Sequence, residues 1–266
     1  MISISSHKSN SESFNPSSFC SVATKEVKKE CLFLIKCIRL LYKSSDIIIY
    51  CDKETKSFID SYKFKFVECR VSELREPSKV VKRNTYHRTD AILLKMDALE
   101  YGVNKFGDCV FLDSDIILLE KLCGPSDCQV ALSLNLTEAN NFAHHVDAHG
   151  FFNAGMVWTN SSQFCNWWRT KFIQSESKSF YEQGLLNKCP GVYRTSFFDN
   201  QHNYGFWRGR VGNRKVLSFH CHMDDNFHST MSDYMKEKAG SLKSEILSTI
   251  EFKYPDVFAI YNSIFN

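Results

Sequence analysis

An α/β fold with a largely parallel central sheet flanked by helices, in a single domain over residues 1–266, is what the sequence predicts. Three observations predict it. Apolar runs with strand character alternate with helical periodicities through the first half of the chain. The segment Val110-Phe-Leu-Asp113-Ser-Asp115-Ile-Ile-Leu118 begins as a short continuous apolar run, the pattern of a buried strand. Finally, 266 residues with 43% apolar and 14% aromatic content supply one sizeable core.

The elements follow in order. Residues 2–5 are a candidate first strand, and a Ser/Asn-rich loop extends to about Ser21. From 22 to 42, Val27, Cys31, Leu34, Ile35, Ile38, Leu41 and Tyr42 recur at helical spacing. Residues 47–50 form a β-branched strand that ends in Cys51-Asp52, and 54–62 a short helix. Residues 64–69 are a third strand, and 70–86 a long basic loop. Residues 88–103 are helical, with Ala91, Leu94, Ala98 and Tyr101 on one face. The strand 108–113 delivers the Asp pair, and 129–134 is another strand. In the less regular second half, 151–158 is a strand with an Asn-Ala-Gly break, and 162–173 and 179–187 are helical. Residues 216–219 form a strand that runs into His220-Cys-His222.

Composition narrows the function. With 33 basic and 30 acidic residues the formal net charge is +3, too balanced for a nucleic-acid grip. The 11 cysteines are dispersed, without a Cys-x-x-Cys pair, and suit core positions in a reduced protein. The N-terminus lacks the apolar stretch of a signal peptide, and the apolar run 32–42 is too short and too charged to span a bilayer. Together these lead to the expectation of a cytoplasmic chain without a transmembrane segment. In that setting Asn135-Leu-Thr137 and Asn160-Ser-Ser162 are chance matches to a glycosylation pattern.

The Asp-Ser-Asp segment carries the chemistry. Side chains at i and i+2 of a strand point to one side, so Asp113 and Asp115 aim together. Two close carboxylates repel unless a positive charge lies between them, and a hard divalent cation meets that need with open positions for phosphate oxygens. The same motif also fits one Asp that caps a turn beside another that is solvated. Ligands of parallel sheets bind beyond the strands' carboxyl ends, which places Asp52 and the Asp pair at one crevice.

The order of motifs is informative. Arg88 and Lys95 on a helix precede the apolar-Asp-x-Asp strand. Phe152-Asn-Ala-Gly155, Tyr181-Glu-Gln-Gly184-Leu-Leu-Asn187, His202-Asn-Tyr204 and a strand into His220 follow. This series resembles the GT-A fold, Rossmann-like nucleotide-sugar glycosyltransferases, and within it the retaining glycogenin and galactosyltransferase group. The resemblance covers about residues 45–222. It implies a nucleotide-binding half over 1–125 and an acceptor and sugar half over 126–266. It also implies a metal-dependent transferase that uses Mn²⁺ or Mg²⁺, a nucleotide-sugar donor, most often a UDP-sugar, and a glycan or glycoprotein acceptor. Asp113, Asp115 and His220 would hold the metal, with His222 as the substitute third ligand. The residues themselves favour His220, at the end of the apolar strand 215–219, over His222, which runs into the polar segment 223–226 and reads as solvated. Asp52, Arg88, Asp90, Lys95, Ser114, Asn153, Ala154 and Gly155 would contact the donor. Gln183 and Glu182 would stabilise the reacting sugar, with retention of configuration.

Two departures from the family pattern stand out. Glu182 replaces the family's Asp, and its extra methylene displaces the carboxylate. A Lys that binds diphosphate after the family's His is missing; either Arg208, Arg210 or Arg214 would replace it, or the donor pocket differs. Trp158, Trp167, Trp168 and Trp207 suit either sugar stacking or the core. Among rival readings, a haloacid dehalogenase-type phosphatase conflicts with Ile117 and with the mid-chain place of the motif. A nucleotidylyltransferase conflicts with the segment 5–10, which is not a Gly-rich phosphate loop. A glycosyltransferase-like binding or assembly subunit is the non-enzymatic alternative.

Overall fold

In the computed structural model, residues 14–72, 89–123, 127–135, 150–174, 181–207, 215–224 and 233–266 are described. β1 (Ser18–Ala23), β2 (Asp46–Cys51), β3 (Val67–Val71) and β4 (Cys109–Leu112) supply four strands of the main sheet; β6 (Val130–Leu134), β7 (Phe152–Thr159) and β8 (Thr195–Phe197) complete it. The sheet has seven strands in the order β3-β2-β1-β4-β7-β6-β8. β7 alone runs against its neighbours, so the sheet is mostly parallel. A second sheet pairs β5 (Ile116–Leu118) with β9 (Ser218–His220), antiparallel.

Strand alternation divides the core in two. Phe19, Ile47, Ile49, Val110 and Leu112 face α1 (Lys28–Leu41), α6 (Asp233–Lys253) and α7 (Pro255–Phe265). Cys20, Ile48 and Phe111 face α3 (Thr89–Phe106) and α4 (Ser162–Gln174). Because both faces are covered, these strands read as continuous apolar runs. The remaining helices are α2 (Lys53–Asp60), whose N-cap is Asp52, and α5 (Tyr181–Leu185), followed by a 3₁₀ turn at Leu186–Gly191.

Several boundaries differ from the sequence reading. The candidate strand 2–5 and most of the loop 70–86 lie outside the described residues. The Ser/Asn-rich loop gives way to β1 at Ser18, and the helix that follows begins at Lys28, not at 22. Ser-Phe-Cys-Ser-Val-Ala carries little β-branched character, and its strand form comes from pairing with β2 and β4 on both sides. The third strand begins at Val67 because Lys63 and Phe66 adopt positive φ, which breaks an extended run. The strand with Asp113 and Asp115 is two strands, β4 and β5, joined by a turn in which Ile116 N donates to Asp113 O at 3.1 Å. Beyond residue 222, where the sequence reading places nothing, α6 and α7 close one face. Pro255 opens α7, and Tyr261 packs against Phe33 of α1 at 6.1 Å between ring centroids.

Each of the 11 cysteines is free, and most are buried among apolar side chains, as expected of small core residues. Among the described residues no helix is long and apolar enough to cross a membrane.

Candidate metal and donor site

The turn after β4 brings Asp113 and Asp115 together, so their convergence is set by the turn rather than by strand alternation. Two backbone bonds hold that turn from outside: Asp113 N donates to Gly155 O at 2.8 Å, and Cys221 N donates to Asp115 O at 3.0 Å. In the small sheet Ile116 pairs with His220, which places the imidazole beside the carboxylates. His220 Nε2 lies 3.2 Å from Asp115 Oδ1 and 3.8 Å from Asp113 Oδ2. Ligand atoms of Asp113, Asp115 and His220 all lie within 4.8 Å of one another. Adjacent ligands of one small octahedral cation stand about 3 Å apart, so this donor set fits Mg²⁺ or Mn²⁺.

Gly155 makes that spacing possible. A Cβ there would stand 2.6 Å from Asp113 Oδ2, 2.6 Å from His220 Cε1 and 2.8 Å from Asn153 Oδ1. Only a residue without a side chain lets β7 pass this close behind the three groups.

Lys95, on α3, is buried beneath the carboxylates. Its Nζ is 2.8 Å from Glu182 Oε1 and 3.2 Å from Asp113 Oδ1, and it donates to Ala154 O at 3.3 Å. Burial alone pushes the Lys95 ammonium down, but Asp113 and Glu182 outweigh burial and hold it above its ordinary value. Glu182 is therefore half of a buried ion pair, and Trp168 Nε1 anchors its carbonyl at 2.9 Å. Gln183 Oε1 accepts from Ala154 N at 3.2 Å, which ties its side chain to β7.

His222 departs from the solvated histidine of the sequence reading. β9 ends at His220, and His222 turns inward: its Nδ1 is 2.9 Å from Glu30 Oε2, and its Nε2 is 3.5 Å from Asp115 Oδ2. Glu30, 2% exposed on α1, also accepts from Met223 N at 2.8 Å and Asp224 N at 3.3 Å. Burial would lower the His222 pKa, but Asp115 and Glu30 push it up to about 9. Burial would raise the Asp115 carboxyl, yet His220 and His222 hold it well below the usual carboxylate range.

Other predicted residues fall as follows. Asn153, Ala154 and Ser114 are buried at the site. Asp52 has both oxygens engaged, accepting from Thr55 N and Lys25 N at 2.7 Å each, and serves as the cap of α2. Arg88, Arg208, Arg210 and Arg214 lie outside the described residues, and of Asp90 only the backbone, on α3, is described. Trp158, Trp167 and Trp168 pack in the core, whereas Trp207 stands edge-on to His220 at 4.9 Å between ring centroids.

Sequence reasoning missed Glu30 and Asn203. Glu30 sits on the apolar stripe with Val27, Cys31 and Leu34, and a carboxylate on a buried helix face is the signal that marks it. Asn203 lies inside the His202-Asn-Tyr204 motif but has no periodicity to single it out. It joins Ser133, Asn153 and His220 by hydrogen bonds.

No sequence-family model matches the chain, and no curated protein matches it by sequence. Solved structures do match. The galactosyltransferase LgtC, in complex with donor and acceptor sugar analogs, is 12% identical with a TM-score of 0.57, covering 84% of this chain and 95% of its own. Mouse xyloside xylosyltransferase 1 is 10% identical with a TM-score of 0.50, covering 76% and 96%. The bifunctional glycosyltransferase WbbM is 15% identical with a TM-score of 0.51; 87% of this chain matches 45% of that one. At such identities the likeness is one of fold, and the mostly parallel sheet with an Asp-x-Asp turn at its carboxyl edge agrees with it. The chain has the GT-A glycosyltransferase fold.

Proposed function

We propose that this chain is a metal-dependent glycosyltransferase that moves a sugar from a nucleotide diphosphate sugar, in the first instance a UDP-sugar, to a glycan or glycoprotein acceptor. The observation that carries the reading is the convergence of Asp113, Asp115 and His220 on one point at the carboxyl edge of a GT-A sheet. Residues 1–125 supply Lys95 and the two carboxylates, and 126–266 supply the strand β7, Gln183 and His220. Asp113, Asp115 and His220 would hold a divalent cation, which would supply Lewis-acid stabilisation of a departing diphosphate.

The chain's own groups do the rest. Asp113 and Asp115 supply the hard oxygens, and His220 a nitrogen. Lys95 holds Asp113 from behind, so Oδ1 meets the ammonium and Oδ2 lies on the side of His220, where it would hold the metal. The backbone groups of Ala154 and Gly155 are already bonded within the protein, so these two residues would shape the donor's path, and the Asn153 Nδ2 group would meet a sugar hydroxyl. Gln183, tied to Ala154 N, is our candidate for the group facing the reacting carbon, and retention follows the same reading.

A thermal-shift panel of nucleotide sugars, with and without Mn²⁺, tests the proposal. Stabilisation by a nucleotide diphosphate sugar only when Mn²⁺ is present supports it by mass action. A flat response to UDP, GDP, CDP and dTDP sugars would favour a binding or assembly subunit. Phosphate release from simple phosphomonoesters would favour a phosphatase.

A further inference from the structure

We infer that Asn203 is a positioning residue: its amide fixes the proton of neutral His220 on Nδ1 and so leaves the Nε2 lone pair facing Asp113 and Asp115. The hydrogen-bond directions carry the argument. Gly155 N–H donates to Asn153 Oδ1 at 2.8 Å, and a backbone N–H can only donate. The Asn153 atom there is therefore the amide oxygen. Asn203 meets that same oxygen at 3.0 Å, so it must present its Nδ2 hydrogens. Its second Nδ2 hydrogen goes to Ser133 Oγ at 2.9 Å. That leaves Asn203 Oδ1, an acceptor only, 2.8 Å from His220 Nδ1. An acceptor facing a ring nitrogen requires a proton on that nitrogen. A neutral ring then has its lone pair on Nε2, 3.2 Å from Asp115 Oδ1. A lone pair aimed at carboxylate oxygens is repulsive by itself and becomes favourable when a cation sits between them.

The fold makes this arrangement rigid. Asn203 is fully buried, and its φ of +59° is a conformation that asparagine tolerates better than most residues. Its backbone N–H is held by Ser218 Oγ at 2.7 Å, and the Tyr204–Phe219 bridge aligns its segment with β9. The chain of bonds runs from the backbone of β7 to the imidazole, so Gly155 sets both the space behind His220 and the position of its proton.

This inference deepens the proposed function, and its test separates the two. In metal-free protein, two-dimensional ¹⁵N–¹H spectra of the histidine side chains, recorded across an alkaline pH series, report the tautomer, with His220→Gln assigning the signals. The wild type should show His220 protonated on Nδ1. Asn203→Gly removes the amide while easing the positive φ, and should shift the ring toward the Nε2–H form and weaken Mn²⁺ binding ten- to a hundredfold. Ser133→Ala removes a bond from Asn203 without touching His220 and should change neither readout more than about twofold. An Nε2–H tautomer in the wild type overturns the inference even if Asn203→Gly fails to fold. Unchanged tautomer and Mn²⁺ affinity in a folded Asn203→Gly overturn it too. An Nδ1–H tautomer that depends on Asn203, in a protein indifferent to every nucleotide sugar, would sink the proposed function and leave this inference standing.

Discussion

Lys95 Nζ lies 2.8 Å from Glu182 Oε1 beneath the Asp-x-Asp turn, and both side chains are almost wholly buried. The pair joins α3 to α5 beside Ala154 of β7, and through Asp113 it reaches the candidate metal site. Breaking a buried pair from one side leaves an uncompensated charge, a loss of about 3–5 kcal/mol. Lys95→Met, which strands two carboxylates, should therefore lower the urea midpoint strongly. Glu182→Gln should cost less, because Lys95 keeps Asp113 as a partner. Equal midpoints for Lys95→Met and the wild type would remove the pair from the account of stability.

Asp115 stands between two imidazoles, and Asp113 stands beside an ammonium. Neither is a bare repelling carboxylate in the metal-free protein. Asp115→Asn should thus destabilise the metal-free protein at neutral pH and also remove its response to Mn²⁺. The depressed Asp115 pKa contributes stability that is present above the ordinary carboxylate pKa and is lost as pH falls through the lower folded value. Calorimetric Tm across acidic pH should show a shallower fall for Asp115→Asn than for the wild type.

The two histidines should separate by readout. His220→Ala should weaken Mn²⁺ binding by about one to two orders of magnitude with a modest change in Tm. His222→Ala strips buried Glu30 of a partner and should cost about 1–3 kcal/mol of stability. A calorimetric Mn²⁺ titration in which His222→Ala loses more affinity than His220→Ala would move the third ligand to residue 222.

His222 also sets a pH dependence. Its folded pKa, about 9, lies above the 6.5 of a free imidazole, so it binds its proton more tightly in the folded state. That contribution is complete below about pH 6.5 and is lost as pH rises through about 9. Metal-free wild type should lose stability over this window in urea titrations, and His222→Gln should not.

Gly155→Ala tests the space behind the site. The new Cβ meets a carboxylate oxygen and the imidazole at 2.6 Å, and the strand cannot retreat because Asp113 N is bound to Gly155 O. Overpacking of this kind costs about 1–3 kcal/mol. Mn²⁺ affinity should fall with it, and a variant that binds Mn²⁺ like the wild type would show that the cation sits elsewhere.

What the sequence by itself determined was local. Apolar runs at 47–50 and 110–112 specified buried strands, and the second, running into Asp113-Ser-Asp115, put two carboxylates within reach of each other, since residues two apart cannot be far apart. The helix with Lys95 and the Asn-Ala-Gly break were legible for the same reason. What only the tertiary structure decided depends on contacts between distant segments. Glu30 and Met223 are 193 residues apart, and Asn203 and Ser133 are 70 apart. Helical periodicity marked the stripe that Glu30 occupies but could not show that residues 222–224 fold onto it. The division between His220 and His222 was fixed by pairing of β9 with β5, which places residue 220 opposite Ile116 and ends the strand there. His220 then meets both Asp113 and Asp115, while His222 lies between Glu30 and Asp115. The apolar run favoured His220 as its last buried position, but no local pattern shows His222 turning onto Glu30, 192 residues away.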